Sequence, residues 1–453
     1  MESLPLSIIA VFGRTVLLLV LTIGLLAACG PAMSPVEEAT PGAIPPDRIP
    51  VILVPGVSRE VGAQLRGGRL MPLSALALRT DSDALANLGD PRFAADSWRP
   101  LEVPGKMDSA LRGESVRGLQ ALVDRLVREE GYLRGNPEQP LDKDYPENPE
   151  SLRKDRTRLA SLFVVYYDWR RDIAESACLL ANRVDRIRAR TGAPRVYLIG
   201  HSLGGVVARY YARYGGRDVV GNRDCPLQEG PRATTVNAPG GPAIAGLVTL
   251  GAPHRGSAQA LRALLQDFNL FGMVSVGLRD AAFTMPMTWQ LMPFAEADGR
   301  LPLLVGANGD ERVALYDPRT WTDRGWVVGG ADEPERQRFL STMLSRASAL
   351  HRRLQEADGT EEKVSRLVLG SACRPTLARA FVENGTVAFL SRGQADHPLY
   401  GRLTVPGDGV VSLESALGVP ASPTLSSVTV CTGHGGYVED SSATDRIVRF
   451  IGR

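Results

Sequence analysis

Gly200-His-Ser-Leu-Gly204 places a serine between two glycines in the pattern G-x-S-x-G. The apolar stretch Arg195-Val-Tyr-Leu-Ile199 precedes it, and Val206 to Arg213 continues as a helix. A nucleophilic serine at a strand-to-helix turn is strained, and only small neighbours tolerate so close an approach of the chain. The pattern is short enough to arise by chance, so the strand before it and the helix after it carry the assignment. A glycine-rich turn that binds phosphate is the competing reading, but the P-loop lysine and the dinucleotide glycine spacing are missing. Ser202 is therefore the candidate nucleophile. The N–H groups at the start of the helix face the oxygen on which charge develops during acyl transfer.

An activated serine needs a base, and the base needs an acid to hold its tautomer. The chain has 5 histidines. His201 adjoins the nucleophile and is expected to pack beneath it. His254 lies in a loop after a strand, and His351 in an arginine-rich helix. His397 precedes the last strands. His434, in Cys431-Thr-Gly-His-Gly-Gly436, follows the final strand among flexible glycines and is the candidate base, with His397 as its rival. Asp408, in Pro406-Gly-Asp-Gly-Val-Val411, has the position and chain order of the acid; Asp396 is a weaker rival, and an Asp-Gly turn without function is the bland alternative. The oxyanion donors are expected at the backbone N–H of Leu203, directly after the nucleophile, and of Val57, after Val51-Ile-Leu-Val54 and Pro55-Gly56. Gly56 turns the backbone there, and Gly56 and Ser58 are the neighbouring alternatives to Val57.

These residues require a sheet to carry them. Apolar β-branched runs at 51–54, 162–166, 195–199 and 244–250 alternate with helical periodicity at 116–129, 173–190 and 206–213. That alternation predicts parallel βαβ units with buried strands, and the nucleophile turn set among them makes the expectation an α/β-hydrolase fold, with a mostly parallel central sheet flanked by helices. Residues 51–256 form the first part of this core, with 59–158 partly an irregular insertion. Residues 257–350 change pattern and read as an inserted cap or lid. The core resumes over 351–453, with strands expected at 364–369, 386–389 and 427–430.

The first 29 residues read as an export signal. Arg14 is followed by the uncharged apolar run Thr15 to Ala28 and then Cys29. Leu26-Ala27-Ala28-Cys29 resembles the lipobox of bacterial lipoproteins, which makes Cys29 the candidate lipidation site. A plain signal peptide, giving a secreted protein, and an anchor helix are the alternatives. Residues 30–50 read as a Pro- and Ala-rich tether. With Cys29 lipidated, Cys178, Cys225, Cys373 and Cys431 remain, and an oxidising compartment permits two disulfides in three possible pairings. Cys178 also suits a buried thiol. No cysteine pair has zinc-site spacing and no HExxH occurs, so no metal or other cofactor is expected. The formal net charge of +2 over 453 residues, without a long basic run, argues against a nucleic-acid partner.

Taken together, Val51 to Val57, Tyr167-Asp-Trp-Arg170, Gly200 to Gly205, Pro406 to Val411 and His434 resemble the lecithin–cholesterol acyltransferase family of α/β-hydrolases, including its bacterial lipase-like members. The resemblance implies Ser202, Asp408 and His434 as the triad and Val57 and Leu203 as oxyanion donors. The chain departs from the family at Val410, where Thr is usual. Thr249-Leu-Gly-Ala-Pro-His-Arg-Gly-Ser257 is more similar to secreted bacterial triacylglycerol lipases, and Tyr316-Asp-Pro-Arg-Thr-Trp321 resembles a segment of bacterial relatives with no assigned chemistry. In Tyr167-Asp-Trp-Arg170, an Asp168–Arg170 ion pair is expected to brace the strand end while Trp169 packs under the site or lines an acyl pocket.

The expected function is that of a serine esterase, lipase or phospholipase acting through an acyl-enzyme. Transfer of the acyl group to an alcohol is the alternative, and a silent surface-binding domain the minor one. A lipid or hydrophobic ester is expected as substrate, with the membrane surface as a partner through the lipid anchor. The apolar insertion (Leu261, Leu264, Phe268, Phe271, Met285 and Trp289 among others) motivates the substrate, although such residues also suit a cap core.

Overall fold

The computed structural model describes residues 48–57, 63–64, 70–71, 119–135, 160–227, 236–266, 278–294, 300–306, 309–328, 334–357, 359–383, 386–390 and 394–452. Cys29, the proposed leader, most of the tether, Ser58 and most of the 59–158 insertion lie outside them. Strand β1 (Val51–Val54) carries four consecutive apolar residues, each with no exposed surface, as a strand covered on both faces requires. Helix α1 (Gln120–Arg128) buries Leu122, Val123 and Leu126. There follow β2 (Leu162–Val164), α2 (Ile173–Thr191), β3 (Val196–His201), α3 (Leu203–Tyr214) and β4 (Ile244–Leu250). Asp172 caps α2 by accepting from the Ala174 N–H at 2.9 Å, and Gly192 ends it at φ +66°, as local turn chemistry dictates.

Chain order continues with α4 (Ala258–Leu265), α5 (Leu278–Thr284), α6 (Pro286–Gln290), β5 (Arg300–Gly306), β6 (Gly309–Ala314), α7 (Pro318–Asp323), α8 (Pro334–Gln355), β7 (Arg366–Ser371), β8 (Arg374–Leu377), β9 (Ala380–Glu383), β10 (Thr386–Ala388), α9 (Tyr400–Leu403), β11 (Thr404–Gly407), α10 (Leu413–Ala416), β12 (Leu425–Val430) and α11 (Ser441–Ile451). Among the described residues the main sheet has six strands in the order β12-β7-β4-β3-β1-β2, and every pairing is parallel. From β1 the chain moves one way to β2, then returns to add β3 on the other side. The order thus reverses at β1, and the crevice at the carboxyl ends of β1 and β3 is where an open α/β sheet accepts a ligand.

The insertion is more than helices. A second sheet runs β10-β9-β5-β6, with β9 parallel to β5. Its apolar core gathers Leu261, Leu264, Trp289, Leu304, Trp321 and Leu344 together with Phe381 and Val387. The strand expected at 386–389 therefore exists as β10, but it belongs to this sheet and not to the main one. Residues on β9 and β10 pack with the 257–350 segment although they fall after position 350, because this second core is assembled from two separated stretches of chain. The Tyr316–Trp321 segment is part of this second core. The Tyr316 hydroxyl donates to the Met292 and Pro293 carbonyls at 3.2 Å, Asp317 caps α7, and the Trp321 Nε1–H donates to Leu315 O at 2.8 Å. Gln290 joins cap to core, accepting from the Ile173 N–H and donating to Asp172 Oδ2, each at 2.8 Å.

The described members of the apolar insertion are consumed by packing in this second core or in that of the main sheet. Leu261, Leu264, Trp289 and Met292 have no exposed surface, and Met285 and Met287 are buried. They are core of the fold, and their composition alone no longer argues for a lipid. Phe268 and Phe271 lie outside the described residues.

Two disulfides are present, Cys178–Cys225 and Cys373–Cys431. Cys178 is thus not a free thiol. Cys373 follows β7 and Cys431 follows β12, so the second bridge staples the carboxyl ends of neighbouring strands. Its removal by Cys373→Ser with Cys431→Ser is expected to lower unfolding free energy by about 2–5 kcal/mol. Urea midpoints of wild type and the double variant check this, and coincident midpoints would contradict it.

Candidate active site

The turn after β3 puts Ser202 at φ 54° and ψ −128°, a conformation that non-glycine residues rarely hold. The strain costs on the order of 1–3 kcal/mol and persists only because the surroundings over-determine it. The Ser202 N–H donates to Leu250 O at 2.9 Å, tying the turn to β4. Gly204 is required by crowding: a Cβ there would lie 2.1 Å from Val54 O and 2.5 Å from Pro55 O. The first turn of α3 therefore packs directly on the backbone at the end of β1. A Cβ on Gly56 would likewise lie 2.6 Å from the Ser202 Cβ. The Pro55-Gly56-Val57 turn thus closes against Ser202, with Val57 half-buried on the core. Leu203 is the first residue of α3, so its N–H has no intrahelical acceptor.

His434 enters from the loop after β12 and crosses the strand tips to Ser202. Its Nε2 lies 2.9 Å from Ser202 Oγ, and its Nδ1 lies 2.9 Å from Asp408 Oδ2. The backbone repeats the link, because the His434 N–H donates to Asp408 O at 3.0 Å. Asp408 follows β11, whose partner is β8 rather than the main sheet. Its Oδ1 accepts from the Val410 and Val411 N–H groups at 2.9 and 2.7 Å. Burial pushes the Asp408 carboxyl up, but His434 and these two N–H groups outweigh it and hold the pKa below the ordinary value. An ionised Asp408 therefore faces Nδ1, and Nε2 faces the serine as acceptor.

The nucleophile, acid and base expected from the sequence are thus brought together, and the rival residues are elsewhere. His397 sits against Phe381 of the cap, and His254 is buried with Nε2 3.2 Å from Thr249 Oγ1. His351 stacks on Phe294. His201 points at the loop that carries the base, with Nε2 2.7 Å from the His434 carbonyl oxygen. Burial, then the neighbouring His434, pushes its pKa down to about 4, so at neutral pH it is an uncharged ring that donates to that carbonyl.

In Tyr167-Asp-Trp-Arg170, Asp168 takes the Arg170 guanidinium in a buried two-point pair, Nε to Oδ1 at 2.7 Å and Nη2 to Oδ2 at 2.6 Å. Trp169 is buried in the main core. The part of this segment that touches the site is Tyr167, which the sequence did not single out. Its hydroxyl donates to Pro55 O at 2.8 Å and so anchors the turn that carries Val57. Two further residues escaped sequence reasoning. The Ser371 Oγ donates to Thr432 O at 2.7 Å and accepts from the Thr432 N–H at 3.1 Å, fixing the root of the His434 loop beside the Cys373–Cys431 bridge. The Tyr437 hydroxyl donates to Asp408 Oδ2 at 3.1 Å. Only the nearness of Tyr437 to His434 in sequence hinted at it. Among the described residues no cluster of side chains is suited to a metal ion.

No curated protein matches this chain. Among solved structures, the Tle4–Tli4 complex contains a chain 14% identical, with a TM-score of 0.48, over 90% of this chain and 99% of that one. EstA from Clostridium botulinum is 13% identical, with a TM-score of 0.35, over 93% and 91%. Mature lipase BlEst2 of Bacillus licheniformis is 14% identical, with a TM-score of 0.30, over 63% and 76%. Likenesses of this size add no argument to the strand order and the site geometry. The model of the family described as Lecithin:cholesterol acyltransferase matches residues 153–302, which span the strand before Tyr167 through the nucleophile turn and into the cap. The chain is a serine-hydrolase-type α/β-hydrolase and, over that segment, is similar to the lecithin:cholesterol acyltransferase family.

Proposed function

We propose that this protein cleaves carboxylic esters of hydrophobic acyl groups through an acyl-enzyme on Ser202. The observation that carries the ester-cleaving reading is the continuous Ser202–His434–Asp408 relay, with both links at 2.9 Å, and the family match supports the hydrophobic acyl group. His434 Nε2 removes the Ser202 proton as Oγ attacks the ester carbonyl. The N–H groups of Leu203 and Val57 receive the oxyanion, and Asp408 stabilises the imidazolium. The C–O bond to the leaving alcohol then breaks, and His434 returns the proton to that alcohol. Water, deprotonated by His434, attacks the acyl-enzyme and releases the acid with free Ser202. The family match supports a second outcome, in which another alcohol replaces water and a new ester forms.

Export and lipidation at Cys29 belong to the same proposal. The leader motif supports them, and two disulfides fit an oxidising compartment. No described helix is long and apolar enough to cross a membrane, and the leader lies outside the described residues.

Labelling by a serine-reactive phosphonate tests the catalytic reading. Wild type is expected to label and Ser202→Ala to lose all labelling; an unlabelled wild type would favour a silent binding domain. Product analysis on a phospholipid, with and without a long-chain alcohol, separates free acid from new ester. A clear preference for acetyl over long-chain esters would overturn the hydrophobic-acyl assignment.

A further inference from the structure

Asp408 has no exposed side-chain surface. Such a carboxylate is tolerated only when its oxygens are fully engaged. Oδ1 is engaged by the Val410 and Val411 N–H groups. Oδ2 has two acceptor directions, one taken by His434 Nδ1 and the other by the Tyr437 hydroxyl at 3.1 Å. Tyr437 is 1% exposed, so its hydroxyl has no water to exchange with and Oδ2 is its acceptor. Burial, then the Asp408 charge, pushes this phenol far above its ordinary pKa, so it remains protonated and able to donate.

A second observation converges on the same pair. Gly251, at the end of β4, has φ +55°, and a Cβ there would lie 2.6 Å from Tyr437 Cε2 and 2.8 Å from Asp408 Oδ2. The backbone is thus shaped to admit the tyrosine ring and the carboxylate side by side. The ring also stands 6.3 Å from that of His201, whose Nε2 holds the carbonyl of His434.

We infer that Tyr437 is a positioning residue for the triad, its hydroxyl fixing Asp408 Oδ2 in the plane and direction that His434 Nδ1 requires, with Gly251 keeping the space open. The inference rests on the triad reading. Tyr437 touches no reacting atom and acts through Asp408. Without its donor, Oδ2 is held on one side only, and the imidazole loses its fixed orientation toward Ser202. The ester-binding surface is untouched, so the loss appears in kcat and not in KM.

The full-length wild type is compared with Tyr437→Phe, Asp408→Asn, the double variant and Ser202→Ala, reading p-nitrophenyl ester kinetics and phosphonate labelling rates. Tyr437→Phe is expected to lower kcat roughly 10-fold, a part of the 10²–10⁴-fold that general base catalysis contributes, with KM within about twofold. In the Asp408→Asn background the same change is expected to cost nothing further, since two residues acting through one contact are not additive. An equal loss in both backgrounds would mean that the hydroxyl does not act through Asp408 and would overturn the inference, as would a kcat within about twofold of wild type. Should Tyr437→Phe fail to fold, fluorotyrosines placed at 437 keep the ring and alter only the acidity of the hydroxyl. Then kcat is expected to track that acidity, and a flat response overturns the proposal. Labelling that survives in Ser202→Ala would sink the triad reading itself. Labelling lost in Ser202→Ala but unchanged in Tyr437→Phe sinks only the inference about Tyr437.

Discussion

Asp408→Asn is expected to lower kcat by about 10⁴-fold while KM stays near its wild-type value. The reason is the hydrogen-bond map around the side chain. Oδ1 accepts from two backbone N–H groups, so an asparagine must keep its carbonyl oxygen there. Its amide nitrogen then occupies the Oδ2 position and donates to His434 Nδ1. That contact selects the tautomer with hydrogen on Nε2, which faces Ser202 Oγ as a donor and cannot take its proton. The oxyanion donors and the substrate surface remain, so residual catalysis of about 10³–10⁴-fold over water should persist. Steady-state hydrolysis and phosphonate labelling both read this. A loss of less than about 10-fold would show that Asp408 does not hold the tautomer.

The second large effect concerns stability. Glu361 has no exposed surface and sits among three arginines that are each 1% exposed. Its Oε1 accepts from Arg209 Nε at 2.7 Å and Arg366 Nη1 at 2.6 Å, and its Oε2 from Arg213 Nη1 at 3.4 Å. Arg209 and Arg213 also donate to the Leu354 carbonyl at the end of α8. The cluster thus joins α3, β7 and the last turn of α8. Glu361→Ala leaves three buried cations without their anion, and removing one partner of a buried ion pair costs about 3–5 kcal/mol. Urea unfolding should show that loss in full; a change below about 1 kcal/mol would mean that the arginines find other partners. Burial pushes the Glu361 carboxyl up, but the three arginines outweigh it and hold its pKa below the ordinary value. Its contribution is therefore complete above the ordinary glutamate pKa and disappears as pH falls through the lowered folded value. Glu361→Gln should flatten that acid limb of the stability profile.

The interactions legible in the sequence were short-range ones. Alternation of apolar runs with helix periodicity marks β1, β2, β3, β4 and α2 because strand and helix geometry are local properties of the chain. The nucleophile turn is legible for the same reason: its glycines answer a steric demand made within a few residues. Asp408 and His434 could be chosen because each lies on a glycine turn beyond a strand and in the order the fold needs.

Partners far apart in the chain were decided by tertiary structure. Four cysteines allow three pairings, and only the adjacency of β7 and β12 selects Cys373–Cys431. The second sheet pairs β5 with β9 across a long helix, so no single window of sequence contains it. The Glu361 cluster spans 152 residues to Arg209. Apolar composition says that a residue will be buried but not against what, so Trp289 and its neighbours suited a lipid and a cap core equally well. Which tyrosine reaches Asp408, and which glycine leaves it room, follows from four loops meeting at the strand tips. From its sequence alone the chain could be read as a serine hydrolase with a nominated triad. The seat of that triad depends on distant backbone groups that meet only when the sheet assembles.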